Sequence, residues 1–271
     1  MRVAYIVACC GLAILALSAC STVVNESPTT SPSARETMTV DLGGGVSMDM
    51  VLIPAGSFTM GSDKGEDNEK PVHKVTLTRP FYMGKYSVTQ AQWQAVMGDN
   101  PSQFKGPTNP VEEVSWEDCQ EFLQALAKKV PGKVFELPTE AQWEYACRAG
   151  TTTDYYFGDD PAKLGDYAWY LDNAGNHSHP VGQKKPNNWG LYDMHGNVCQ
   201  WCADWFGSYA PGDATDPTGP TSGEAAVLRG ESWVGLPHEL RSAGRVATPI
   251  YYRNSHVGLR LVCLVPEASD Q

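Results

Sequence analysis

Apolar and polar positions keep a helical period in only three stretches of this chain. Ser115–Val130 is the clearest. Cys119, Phe122, Leu123, Leu126 and Val130 fall on one face, Ser115 and Asp118 suit a capping box, and Lys128 and Lys129 precede Pro131-Gly132. Thr89–Met97 predicts a second helix, with Thr89 as cap and Trp93, Val96 and Met97 inward. Thr139–Arg148 predicts a third, with Thr139 and Gln142 as capping box, Trp143, Ala146 and Cys147 inward, and Gly150 as stop. Strand-like runs are short. Val51–Ala55 and Phe58–Met60 read as a hairpin-like start around Pro54 and Gly56, and Val72–Leu77 and Phe81–Tyr86 flank Arg79-Pro80. Near the carboxyl end, Val227–Arg229 and Gly258–Val262 are β-leaning. Between them, Val234–His238, Val246–Thr248, Ile250–Tyr252 and Asn254–His256 follow neither period. They mix large apolar, aromatic, imidazole and amide side chains, so they cannot bury one consistent face. The expectation is a segment running over the surface between two anchored strands, where binding or catalytic groups tend to sit.

The amino terminus changes the picture of location. Met1–Ala19 carries one charge, Arg2, followed by an apolar run that ends Leu17-Ser18-Ala19-Cys20. It resembles a bacterial lipoprotein signal with its lipobox, which would place a diacylglyceryl group on Cys20; the run is short for a membrane span. Residues 1–19 then form the signal and 20–37 a Ser/Thr/Pro-rich tether with too little apolar content for a core. Residues 38–265 form a single domain and 266–271 a tail. The expected location is a bacterial membrane, as an outer-membrane or cell-surface lipoprotein. Net charge is −11, so nothing attracts polyanions and nucleic acid is not an expected partner. Roughly 230 residues suffice for one core. The whole chain holds 26 Gly, 8 Trp and 12 Tyr, and helical patterns are few, which suggests a loop-rich α+β domain held by aromatic packing.

Outside the signal and the lipidated Cys20 remain Cys119, Cys147, Cys199, Cys202 and Cys263. The number is odd, so at least one should be free or paired between chains. Cys199-x-x-Cys202 has no second CxxC or matching HxxxH, which argues against zinc or a redox pair. His177-x-His179 reads as exposed loop residues. Trp93, Trp116, Trp143, Trp189, Trp201 and Trp205 read as core.

Several of these stretches match one family in order: MVLIPAGSFTMGS (Met50–Ser62), FYMGKYSVTQAQW (Phe81–Trp93), PVEEVSWEDCQEF (Pro110–Phe122), LPTEAQWEYACRAGT (Leu137–Thr151), GLYDMHGNV (Gly190–Val198), LRGESW and GLRLV. Together they resemble the formylglycine-generating enzyme, or sulfatase-modifying factor, domain over essentially all of Met48–Val262. The resemblance implies a C-type-lectin-like α+β fold with short helices and little regular sheet. It also implies an oxidase that converts a sulfatase cysteine to formylglycine with copper and oxygen. That chemistry needs a cysteine pair shortly after the family's RGGS element, because paired thiolates hold Cu(I). Counting from Arg229, those positions are Gly235 and Leu240, so copper and oxidase activity are not expected and no catalytic residue is assigned. The family's calcium segment carries over onto Asp193, the carbonyls of Gly196 and Val198, and Gln200. The family commonly has Glu at position 200 and Trp at 199, and an amide in place of a carboxylate should weaken a calcium site. No cofactor is required by this reading.

Some members with this fold are display proteins of diversity-generating retroelements, rewritten at adenines of a template, usually in AAC codons. Varying the first two bases cannot give Lys, Glu, Gln, Met or Trp, and VGLPH, VAT, IYY and NSH contain none of the five. They alternate with fixed-looking RGESW, LRSAGR, Pro249, Arg253 and GLRLV. The candidate ligand-binding residues are Trp233, Val234, Gly235, Leu236, Pro237, His238, Val246, Thr248, Ile250, Tyr251, Tyr252, Asn254, Ser255 and His256. Tyrosines and histidines offer amphipathic contact area with few rotors, and Asn and Ser offer adaptable hydrogen bonds. The expected function is a lipid-anchored protein presenting a variable face, spanning about 229–260, to an extracellular or cell-surface protein or glycan. The alternative is a formylglycine-generating enzyme or an accessory factor of one.

Overall fold

The computed structural model describes Met1 and residues 35–266. Cys20, its signal and most of the tether lie outside the described residues. In chain order the strands begin with β1 (Thr37–Asp41), β2 (Ser47–Ile53), β3 (Gly56–Met60), β4 (His73–Leu77) and β5 (Phe81–Gly84). Helices α1 (Gln90–Met97) and α2 (Trp116–Lys129) come next, then β6 (Phe135–Glu136) and α3 (Glu140–Arg148). The chain ends with β7 (Cys199–Trp205), β8 (Ala214–Thr215), β9 (Ala225–Arg229), β10 (Arg245–Pro249), β11 (Val257–Leu259) and β12 (Val262–Leu264).

All three helices start where their caps predict. Thr89, Ser115 and Thr139 each accept from the backbone three residues on, and Gln92, Asp118 and Gln142 reach back to the cap amide. Helix α1 ends at Gly98 with φ 88°, a left-handed conformation that costs glycine nothing. Helix α2 buries Cys119, Phe122 and Leu126 and keeps its lysines at the carboxyl end.

The strands correct the expected hairpin. β2 joins a five-stranded antiparallel sheet in the order β1-β2-β5-β12-β6, whereas β3 pairs β4 in a separate sheet with β8. The turn at Pro54-Ala55 therefore passes the chain between sheets and closes no hairpin, and the turn at Arg79-Pro80 does the same between β4 and β5. Alternating runs name strands but not partners, because register and pairing are set by what each face buries. Likewise Gly258–Val262 divides: Val257–Leu259 pairs with β7 in parallel, and Val262–Leu264 lies between β5 and β6.

The third sheet, β10-β9-β7-β11, carries the candidate site. β7 is its buried inner strand and bulges between Trp201 and Trp205. Behind it lies α3, where Trp143, Ala146 and Cys147 are buried as their spacing predicts, but so is every other residue from Glu140 to Arg148 except Gln142. Glu140, Glu144 and Arg148 sit at helical spacing on one side, and buried arginines of β9 and β10 face them. Charges enter an interior only when paired and hydrogen-bonded, so the helix could sink only because those partners exist.

Candidate functional site

The segment from β9 to β12 is clamped by its own arginines. Arg229 donates to the carbonyls of Ala243 (2.7 Å) and Gly244 (2.6 Å) and pairs with Glu144 of α3. Arg241 grips Glu69 in two hydrogen bonds of 2.8 and 2.5 Å. Arg245 forks onto Glu140 at 2.7 Å through both Nε and Nη2. Arg253 does the same to Asp118 of α2 at 2.6 and 2.7 Å. Arg260 donates to Gln200 (2.8 Å) and to the carbonyls of Gly84 (2.7 Å) and Tyr192 (2.6 Å). Planar forks of this kind fix direction as well as distance. Burial raises the Glu144 carboxyl, but the Arg229 and Arg148 guanidiniums together hold it below the usual range.

Between these clamps lie the four irregular runs. Tyr251 is 69% exposed, Val246 43%, Leu236 42% and Val234 37%; His238 is also exposed. Trp233, Pro237, Ile250, Tyr252, Asn254 and His256 are half-buried. Three of the named residues are buried: Gly235, Thr248 and Ser255. Val246–Thr248 is also not a loop: it lies in β10, the edge of its sheet, where Val246 pairs with Leu228 and Thr248 with Ala226. Its pattern escaped the period test because an edge strand this short shows too few alternations.

The runs converge. Val246, Thr248 and Pro249, with Tyr252 and His256, wall a cleft of about 290 Å³ floored by Cys199, Leu228 and Glu231. Trp233 ties in the first run. Its indole donates to the carbonyl of Ser255 at 3.1 Å, and its ring meets Phe104 edge-on at 5.8 Å. On that flank the amide of Leu171 donates to the carbonyl of Gly235, beside exposed Val234 and Leu236. Leu171 is itself 45% exposed and was not among the sequence candidates. No local pattern marks it, since only the tertiary fold sets it there.

Glu231 belongs to the fixed-looking RGESW, and sequence alone gives it no role. It stands at φ 49°, a left-handed conformation unusual for a residue with a side chain. Its Oε2 accepts from the amide of Ser232 (2.7 Å) and, more weakly, from the Ser232 hydroxyl (3.2 Å). Burial, then the nearby charge of Glu239, pushes its carboxyl up.

Residues 44–264 match the family described as the sulfatase-modifying factor enzyme 1-like domain. The chain belongs to that family. Among solved structures, Treponema denticola variable protein 1 superposes with a TM-score of 0.79 at 32% identity, over 84% of this chain and 99% of that one. A chaperone protein LppX of Paenibacillus barcinonensis is 34% identical across 71% of this chain and 78% of its own length. A formylglycine-generating enzyme of Streptomyces coelicolor is 30% identical across 68% of this chain and 78% of its own. The expected C-type-lectin-like α+β fold of this family is therefore the fold present.

Within the family frame, positions 235 and 240 adjoin: a Cβ on Gly235 would lie 2.8 Å from Cδ1 of Leu240. A cysteine pair there could meet, but an apolar side chain fills the place. Among the described residues the cysteines are Cys119, Cys147, Cys199, Cys202 and Cys263, all buried and all free, more than the single unpaired thiol that an odd number requires. Cys199 and Cys202 stand three apart on β7, an odd offset that sends them to opposite faces and into different core clusters. Cys147 Sγ lies 3.9 Å from His195 Nδ1, both fully enclosed. Burial pushes the thiol up to about 12 and the imidazole down to about 3, so the pair is neutral and supplies no thiolate.

The hydrogen bonds of the four calcium candidates decide whether they can hold the ion. Asp193 fits in part: it is buried, its Oδ2 accepts from the Gly182 amide, and its Oδ1 has no partner. Gln200 does not fit. Its Oε1 accepts from Trp143 Nε1 and Arg260 Nε, both at 2.8 Å, and its Nε2 donates to the carbonyl of Asp193. Both lone pairs of the amide oxygen are thus used, with a guanidinium on one of them. Gly196 and Val198 are buried, and Gly196 (φ 74°) packs against the carbonyl of Trp169 so closely that no side chain could replace its hydrogen. As arranged, the four do not form a calcium cage.

His179 corrects the reading of its loop. It stacks on Trp169 at 3.8 Å and bonds the carbonyl of Ala174, while His177 remains exposed beside it at 4.3 Å. Of the tryptophans, Trp93, Trp143 and Trp201 are buried, and Trp116, Trp189 and Trp205 are half-buried.

Proposed function

We propose that this chain is a membrane-anchored lipoprotein, attached through a lipid on Cys20, that presents a variable ligand-binding face on an inert lectin-like scaffold. One observation carries the reading: five arginines clamp the backbone between and on either side of the irregular runs, three of the runs line one cleft, and Trp233 ties the first run to its flank. With the backbone held by side chains outside the runs, residues inside them can change without refolding the segment. The similarity to a protein named for its variability supports the same reading. The ligand belongs to a cell surface or the medium, and Val234, Leu236, Tyr251 and His238 suit a protein or a glycan. The lipid would hold the domain at the outer membrane or cell surface.

Catalytic inactivity is part of the proposal. Gly235 and Leu240 give soft copper no thiolate, and Gln200 gives calcium no free oxygen, so neither metal is needed. The alternative, a formylglycine-generating enzyme or its accessory, draws on the Streptomyces relative and on the family itself.

The deciding experiment is amplicon sequencing of the gene's 3′ region across a growing population, together with the DNA downstream. The expected result is substitution confined to the codons of Val234–His238, Val246–Thr248, Ile250–Tyr252 and Asn254–His256, with a near-repeat carrying adenines there beside a reverse transcriptase. An invariant segment with no near-repeat would refute the variable-face reading.

A further inference from the structure

The cleft on this face has a chemical character of its own. Its apolar and aromatic lining comes from Leu228, Val246, Pro249, Tyr252 and His256, and its one acidic group is Glu231. All the protein hydrogen bonds of that carboxylate fall on Oε2; no described residue donates to Oε1. The small side chain of Cys199 also lines the cleft. No cation of the segment is free to answer the charge: Arg241, Arg245 and Arg253 are each held in a two-pronged bond to a carboxylate. Glu239 lies close enough to Glu231 to add to the negative field. A half-buried carboxylate with an unused oxygen, set among aromatic walls, is suited to a cation. The oxygen gives a charge-assisted hydrogen bond and the rings a cation–π contact.

We propose that this cleft receives one basic side chain of the ligand, an arginine guanidinium or a lysine ammonium, as the anchor of binding. The inference rests on the binding-face reading above and adds the ligand's chemistry to it.

The test uses the full-length chain in detergent and three small probes: N-acetyl-arginine amide, its neutral isostere N-acetyl-citrulline amide, and N-acetyl-glutamate amide. Binding is read from the NMR shifts of His256 and Tyr252. The arginine probe should bind at least about tenfold more tightly than citrulline, and the glutamate probe should not bind. Glu231→Gln should bring arginine down to the citrulline level. Glu231→Gly should do the same while relieving the backbone, so a folding defect in the first variant leaves the test intact. Equal binding of citrulline and arginine, retention of arginine binding in Glu231→Gly, or a preference for the glutamate probe would each overturn the cation. None of these results touches the sequence-variation test, which alone decides whether the face is variable.

Discussion

If the irregular runs form a face carried by a rigid scaffold, a wholesale change to that face should leave the fold standing. The variant to make is Val234→Ser, Leu236→Ser, His238→Ser, Val246→Thr and Tyr251→Ser together. These are the exposed members of the four runs other than the small Ala247, and threonine at 246 keeps a β-favouring residue in β10. Thr248 and Tyr252 stay unchanged, because Thr248 is buried and Tyr252 packs against the core. Exposed substitutions away from caps and pairs usually shift stability by about 0.5 kcal/mol in either direction, so five of them should total about 1 kcal/mol. The contrast is Trp143→Ala. Trp143 is fully buried, donates its indole N–H to Gln200 at 2.8 Å and has the Arg229 guanidinium 5.3 Å from its ring centre. Truncating such a ring costs roughly 3–5 kcal/mol. For a domain of this size each kcal/mol moves the melting midpoint by about 2–4 °C. Calorimetry should therefore find the face variant within about 4 °C of the parent and the Trp143 variant lower by roughly 6–20 °C. A face variant that melts as low as the Trp143 variant would mean that these side chains are scaffold, and the reasoning from exposure would be wrong.

Three further outcomes are expected. Cys20→Ser should abolish incorporation of labelled palmitate and release the chain from the detergent phase; an unchanged lipidated pool would refute the lipobox reading. A cysteine-containing sulfatase peptide, incubated with the chain and copper, should show no formylglycine by mass spectrometry, and conversion above a no-protein control would restore the enzyme reading. Asp204 on β7 is 4% exposed and accepts from the Glu140 amide at the start of α3; burial, then the neighbouring Glu140 charge, raises its carboxyl to about 7. A raised carboxyl binds its proton more tightly when folded, so between about pH 4 and pH 7 the folded state holds the extra proton and stability falls as pH rises. Asp204→Asn keeps an acceptor for the amide and removes the charge, so its stability should decline less across that window, by up to a few kcal/mol; parallel profiles for parent and variant would refute the raised carboxyl.

The sequence alone determined whatever depends on neighbours along the chain. The caps at Thr89, Ser115 and Thr139 are local hydrogen bonds, and they appear where the residues predict. Motif order led to the family, and the absence of cysteine at 235 and 240 was legible by counting. Tertiary structure decided the rest, because it depends on which groups meet across the chain. Strand partners could not be read, since an alternating run shows which face is apolar but not what covers it. Helix α3 can bury Glu140 and Glu144 because Arg229 and Arg245, some 85 to 105 residues away in sequence, meet them. Arg229, Arg241, Arg245, Arg253 and Arg260 looked only fixed between irregular runs; their role as clamps exists because Glu144, Glu69, Glu140, Asp118 and Gln200 are brought within reach. Glu231 gained its place in the cleft in the same way, when folding set β9 beside β7 and the chain before β11 over Cys199. Caps and periods are local, so sequence carries them; a pocket is made of residues distant in the chain, so only folding assembles it.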